Sequence, residues 1–211
     1  SGGLVYDLIA AFYRKAIIKR TLNHFIQKEF IDGSSVLHAG CGSGQVDTDI
    51  AKNINISALD ISPAALSLYK KIHKDNDRII HGSIFDIPVE DGQFDGVYNL
   101  GVMEHFTESD IKLILSEFRR VLKPDGKILL FWPPEYGLSV VFLKGVHFIL
   151  NRVMKKNIKL HPDEISRVRS KSSIRRILKS AGFELCGYYF GIRDFFTYSV
   201  ITAVKSDLKR V

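Results

Sequence analysis

Apolar side chains recur along the chain in two alternating periods. Between residues 4 and 31 they stand at Leu4, Leu8, Ile9, Phe12, Ile17, Ile18, Leu22, Phe25, Ile26 and Phe30. That spacing predicts one or two amphipathic helices, closed by Gly33. From residue 35 onward, short apolar runs and helical patterns take turns. Strands are predicted over 35–39, 56–60, 78–81, 94–99 and 127–132, and helices over 45–53, 63–73 and 109–122. Ser62 is placed to cap the second of these helices, with Pro63 at its first position. Ile111, Ile114, Leu115, Phe118 and Leu122 make one face of the third. Residues 123–126, Lys-Pro-Asp-Gly, carry turn chemistry. After Pro133-Pro134 the rhythm breaks. An apolar then basic stretch over 135–160 precedes a helix over 172–181, stopped by Gly182, and two strands over 183–190 and 198–204.

Strands alternating with helices imply parallel pairing through right-handed crossovers. Two strands with no helical pattern between them imply an antiparallel pair. The expected fold is therefore α/β: a three-layer, Rossmann-like, seven-stranded and mostly parallel sheet with an antiparallel last strand and helices on both faces. The expected organisation is an N-terminal helical cap over 1–33 and one α/β domain over 34–211, with a helical insert at about 135–170. A length of 211 residues suits one such domain.

Charge changes the picture only locally. The formal net charge is +7, and the cations gather at Arg14–Arg20, at Arg152–Lys159 and at Arg167–Lys179, whereas the centre of the chain is more acidic. Cys41 and Cys186 are far apart and make no metal-ligand spacing, and no secretory signal is read, so a reduced, cytoplasmic protein is expected. His161 with Asp163-Glu164 also matches no metal pattern, and no metal is expected.

The chemistry concentrates at 36–44, VLHAGCGSG. Glycines directly after a buried strand let a ligand lie against bare peptide groups, whose free N–H groups point at it. Asp60 follows Gly40 by 20 residues, at the end of the second strand, where a carboxylate can accept both hydroxyls of a ribose. Together they describe a pocket for an adenosine-containing molecule. A nicotinamide fingerprint, G-x-G-x-x-G/A, needs its third small residue at 45, which is Gln45; here the third glycine is Gly44.

With these motifs the sequence resembles the class I S-adenosylmethionine-dependent methyltransferases, within them the small methyltransferase-domain (type 11-like) group. The likeness runs from 34 to 132, through VLHAGCGSG, Ala58–Ser62, Gly82–Pro88, Gln93–Asn99, Met103-Glu104-His105 and Leu122–Lys127. It implies S-adenosylmethionine as cofactor and S-adenosylhomocysteine as product. It puts Gly40, Cys41, Gly42 and Gly44 against the amino-acid end, Asp60 on the ribose and Ile61 on the adenine. Ser83 and Ile84 would hold the adenine edge, with Asn99 and Leu100 beneath the sulfonium. Relatives usually carry Asp where this chain has Ser83, with Asp86 as a substitute, and often Asp or Glu where it has His38, which reads as a buried strand residue. His105 is the candidate catalytic residue; the competing reading is that Glu104 and His105 organise the turn.

The expected activity is methyl transfer to a small-molecule or lipid-like acceptor by in-line displacement. The alternatives are a non-catalytic cofactor-binding protein and a nicotinamide oxidoreductase. Leu138–Leu150 is too short to span a bilayer, which takes about 20 residues, and reads as a packed lid, an acceptor channel or a contact with an anionic membrane. Nucleic acid ranks below small molecules and lipids, because no RNA-binding module is appended.

Overall fold

The computed structural model describes residues 17–50, 52–74, 78–135 and 165–206. Most of the insert and the start of the N-terminal helical pattern lie outside them. Seven apolar runs form the strands β1 (Ser35–Ala39), β2 (Asn55–Asp60), β3 (Ile79–His81), β4 (Phe94–Leu100), β5 (Leu122–Trp132), β6 (Phe183–Tyr189) and β7 (Ser199–Lys205). They pair into one sheet in the order β3-β2-β1-β4-β5-β7-β6. The first five strands run parallel to one another. β7 runs antiparallel to both β5 and β6, as the missing helix between the last two strands predicts. The Lys-Pro-Asp-Gly turn is absorbed into β5 as a bulge: Phe94 pairs with Leu122, but Gly96 already pairs with Lys127.

Among the described residues, four α-helices cover the sheet: α1 (Lys19–Glu29), α2 (Pro63–Ile72), α3 (Glu108–Val121) and α4 (Lys171–Ser180). Alternation along the strands divides the core in two. Leu37, Val97, Ile128, Leu130 and Ile201 face α3 and α4, whereas Val36, Tyr98, Leu129, Phe131 and Val200 face α1. Both ends of the reading for α3 and α2 have physical reasons. Thr107 and Asp110 form a capping box at the start of α3. The Ser62 hydroxyl accepts the Ala65 N–H at the start of α2.

A second departure lies at 45–53. Its described residues hold a single 3-10 turn, Asp47–Asp49, and not the expected helix. Asp, Thr and Asn compete for backbone hydrogen bonds in this stretch. The Asp47 side chain is also drawn inward: it is buried, and its carboxylate lies 2.7 Å from His38 Nδ1. Lys19 of α1 pins the far side of the turn through Asp49, at 2.7 Å.

Candidate active site

Neighbouring strands deliver the predicted site residues to one edge of the sheet. Gly40, Cys41, Gly42 and Gly44 leave the end of β1, Asp60 and Ile61 the end of β2, and Asn99 and Leu100 the end of β4, which flank β1 on either side. Ser83 and Ile84 follow β3 at the same edge, and His105 lies on the turn Met103–His105 beyond β4.

The glycine loop is held from below. The N–H groups of Gly40 and Cys41 both donate to the Leu59 carbonyl, at 2.8 and 2.9 Å, and Gly44 N–H donates to Cys41 O at 3.0 Å. Gly44 has φ +67°, and a Cβ there would run into the ring of Tyr69. Tyr69 stacks on His73, whose Nε2 lies 2.8 Å from the Gly44 carbonyl. At Gly40, φ +78°, a Cβ would come 2.8 Å from Val102 Cγ2. At Gly42, φ +53°, an added Cβ would meet nothing within 4 Å. The middle of the loop is therefore bare backbone beside open space.

Asp60 joins the loop to β2. One carboxylate oxygen accepts Gly42 N–H at 2.8 Å and the other accepts Ser62 N–H at 2.8 Å. A carboxylate has about four acceptor positions, so lone pairs remain for two hydroxyls. Next to it, Ile61 stands 70% exposed, an apolar side chain suited to a flat ring. Cys41 is buried, and that burial, followed by the nearby Asp60 and Asp47 carboxylates, pushes its thiol far above the ordinary range. That holds the side chain as a neutral thiol.

Asn99 is fully buried, and neither polar atom of its carboxamide has a partner among the described residues. Unmet buried groups of this kind cost about 1–3 kcal/mol each. Asn99 therefore fits a site completed by a polar ligand. Ser83 is committed to its own loop: its hydroxyl accepts Phe85 N–H at 3.2 Å and its backbone bridges to Asp86. His105 is half-buried, and no side-chain partner is found for it among the described residues. Glu104, in contrast, is tied down: its carbonyl accepts the N–H groups of Ile165 and Ser166 at 2.7 and 3.1 Å.

Sequence reasoning missed the support beneath the loop. His38 and Asp47 pair with side chains only 2% and 1% exposed, and His38 stacks on Tyr98 with ring centroids 4.3 Å apart. Burial, then the Asp47 charge, pushes the Tyr98 phenol well up. The one signal for this group was His38 itself, at a position where relatives often carry an acid. Among the described residues no cluster of side chains could hold a metal ion.

Residues 37–130, from β1 to the end of β5, match the family model described as "Methyltransferase domain". That matched stretch, residues 37–130, is a methyltransferase domain. The relatives of that domain include an uncharacterised methyltransferase of Synechocystis sp., 33% identical over 113 residues, which are 48% of this chain and 53% of that protein. They also include the ubiquinone/menaquinone biosynthesis C-methyltransferase UbiE of Paraburkholderia xenovorans, 26% identical, covering 74% of this chain and 70% of its own. The chain thus spans about half of the first relative's length and about two thirds of the second's. In fold, the methyltransferase domain is similar to a Burkholderia thailandensis 1,6-didemethyltoxoflavin-N1-methyltransferase solved with S-adenosylhomocysteine bound. That likeness has a TM-score of 0.67 at 16% identity, over 98% of this chain and 89% of that one.

Proposed function

We propose that the chain transfers the methyl group of S-adenosylmethionine to a small molecule with a substantial apolar part, a lipid-like acceptor being the favoured kind. One observation carries the cofactor half of this reading. The Asp60 carboxylate is fixed by two backbone N–H groups beside bare Gly42 and a projecting Ile61. That arrangement suits a ribose with its base on one side and an amino-acid tail on the other. Gly40, Cys41, Gly42 and Gly44 would line the tail, Ser83 and Ile84 the adenine edge, and Asn99 and Leu100 the sulfur end.

The bound sulfonium supplies an already activated methyl group, so the protein's own task is alignment. Holding an acceptor in line is worth about 7–11 kcal/mol of barrier. Where the acceptor carries a proton to be lost, His105 is the side chain available to take it. The apolar acceptor is favoured by the side chains around the rest of this edge, among them Phe85 at 39% exposed, packed edge-on against Phe106 with centroids 5.3 Å apart. A relative, UbiE, is named for ubiquinone and menaquinone biosynthesis, which supports an apolar acceptor. The test is transfer of labelled methyl from S-adenosylmethionine to a panel of quinols, free lipids and polar metabolites. Labelling confined to the apolar members is expected; labelling confined to polar metabolites or to RNA overturns the acceptor reading. In His105→Gln the rate is expected to fall with the KM for the methyl donor unchanged.

A further inference from the structure

The loop from Phe190 to Tyr198, between β6 and β7, is built against the preferences of its own sequence. Phe195 and Phe196 both take left-handed backbone, with φ 51° and 58°, a region that bulky side chains avoid. The surroundings force it. The fully buried Asp194 carboxylate accepts Tyr198 N–H at 2.7 Å, and Phe196 N–H donates to Gly191 O at 2.9 Å. Arg193 N–H donates to the Tyr189 hydroxyl at 2.9 Å, and the Thr21 hydroxyl of α1 donates to Arg193 O at 3.0 Å. Gly or Asn would close this turn without conflict, so the conformation serves what the side chains present. They present apolar groups to the outside: Ile192 is 73% exposed and Phe195 54%, on either side of exposed Arg193.

The rim of this tip is basic. Arg20, His24 and Lys28 follow one another at four-residue spacing on α1, which places them on one face. Arg193 and Lys28, after burial itself, hold the His24 imidazole below its ordinary value, and the Thr21 bond to Arg193 O sets the loop against this helix. Among the described residues no carboxylate pairs with Arg20, Lys28 or Arg193. The loop stands at the site's own edge of the sheet: Ser199 pairs with Trp132 at the end of β5, and a Cβ on Gly101 would lie 3.4 Å from the Tyr198 hydroxyl.

We infer that the β6–β7 loop, with the basic face of α1, docks the protein on an anionic lipid surface and turns the acceptor side of the site towards it. The inference rests on the proposed lipid-like acceptor for its purpose, but docking itself requires no catalysis. A projecting tip with an aliphatic member and a cationic rim matches headgroups over acyl chains. It gives Ile192 no stacking role of the kind a nucleic acid would use.

The test is flotation of the full chain with phosphatidylcholine vesicles, with and without phosphatidylglycerol. Binding is expected only with the anionic lipid, weakening as salt rises. The variant Ile192→Ser/Phe195→Asn removes both apolar groups and relieves the backbone at 195, so its fold is expected to be kept. Its vesicle affinity is expected to drop on the order of tenfold or more, with S-adenosylhomocysteine binding unchanged. Flotation equal to the parent, no flotation of the parent, or equal flotation on neutral vesicles overturns the inference. As a second readout, Phe195→Cys in a Cys186→Ser background takes an environment-sensitive dye at one place, because Cys41 is buried and kept as a thiol. A blue shift on anionic vesicles is expected. No shift, or a shift on RNA alone, overturns it. Vesicle binding without any S-adenosylhomocysteine binding would sink the methyl-transfer reading and leave this one standing.

Discussion

The two ends of the ligand-binding edge are made from opposite materials. Under the β1–β2–β4 end, conformation and residue type agree: left-handed backbone falls on Gly40, Gly42 and Gly44, and the anchoring acid, Asp60, keeps lone pairs open. At the β5–β7 end they disagree. Left-handed backbone falls on two phenylalanines, and the anchoring acid, Asp194, is buried, with its carboxyl raised above the ordinary range by that burial. The difference teaches where each end is constrained. The glycine loop is shaped by leaving side chains out. The β6–β7 loop is shaped by pushing side chains forward, and the fold absorbs the strain.

The comparison breaks most visibly at Gly44. Gly44→Val meets both the positive φ and the Tyr69 ring, and is expected to destabilise the protein by about 3 kcal/mol or more. Thermal melts should show the loss, together with the disappearance of S-adenosylhomocysteine binding. A stable variant that still binds would mean that the loop is not closely packed. Next comes the polar group beneath the loop. Asp47→Ala strands buried His38, and a loss of about 1–3 kcal/mol is expected. Loosened cofactor affinity should accompany it, because without the His38 contact residue 47 is free to shift, and its backbone N–H, kept in the variant, is what holds the Gly44 carbonyl at 3.0 Å. An unaltered affinity would separate this pair from the site.

A third variant tests a structural anchor that belongs to neither end. Glu117 is held below the ordinary carboxylate value of 4.5, first by its hydrogen bond from Arg120, with the Ile87 N–H adding to this. A depressed carboxyl stabilises above its unfolded value and loses that contribution as pH falls through its folded value. Glu117→Gln should therefore cost about 1–2 kcal/mol at neutral pH, and the deficit should shrink as acid unfolding is followed below pH 4.5. The smallest effect has the opposite sign. Phe195→Asn should stabilise the protein by about 0.5–1 kcal/mol in denaturant melts, because Asn takes left-handed backbone at less cost than Phe and the ring is more than half exposed. A destabilised variant would show that the phenyl group is packing the fold.

Much of this was legible in the sequence, for physical reasons. Buried runs bounded by turn residues located six of the seven strands to within about one residue, and β5 only from Lys127 onward, its first five residues having the signals of a helix end and a turn; the absence of a helical pattern between β6 and β7 gave their antiparallel pairing. The capping signals at Ser62 and the apolar stripe of Ile111, Ile114, Leu115 and Phe118 depend only on local periodicity. The stretch 45–53 failed because a tertiary partner, His38, decides where Asp47 goes. The Tyr69–His73 clamp on Gly44 was invisible for the same reason, since it joins residues 25 and 29 positions away from the glycine. The strained turn at Phe195-Phe196 was unreadable because its sequence argues against its conformation. The structure leaves the insert and its cations, Arg152 to Lys159, outside the described residues.

The central claim, that the bare loop and Asp60 together hold S-adenosylmethionine, is tested most directly by calorimetry on the parent chain and on Asp60→Ala. S-adenosylhomocysteine should bind the parent and NAD should not, and the substitution should weaken S-adenosylhomocysteine by about a hundredfold, the effect of losing charge-assisted bonds to both hydroxyls. Binding of NAD in place of S-adenosylhomocysteine, or equal affinity in Asp60→Ala, would contradict it.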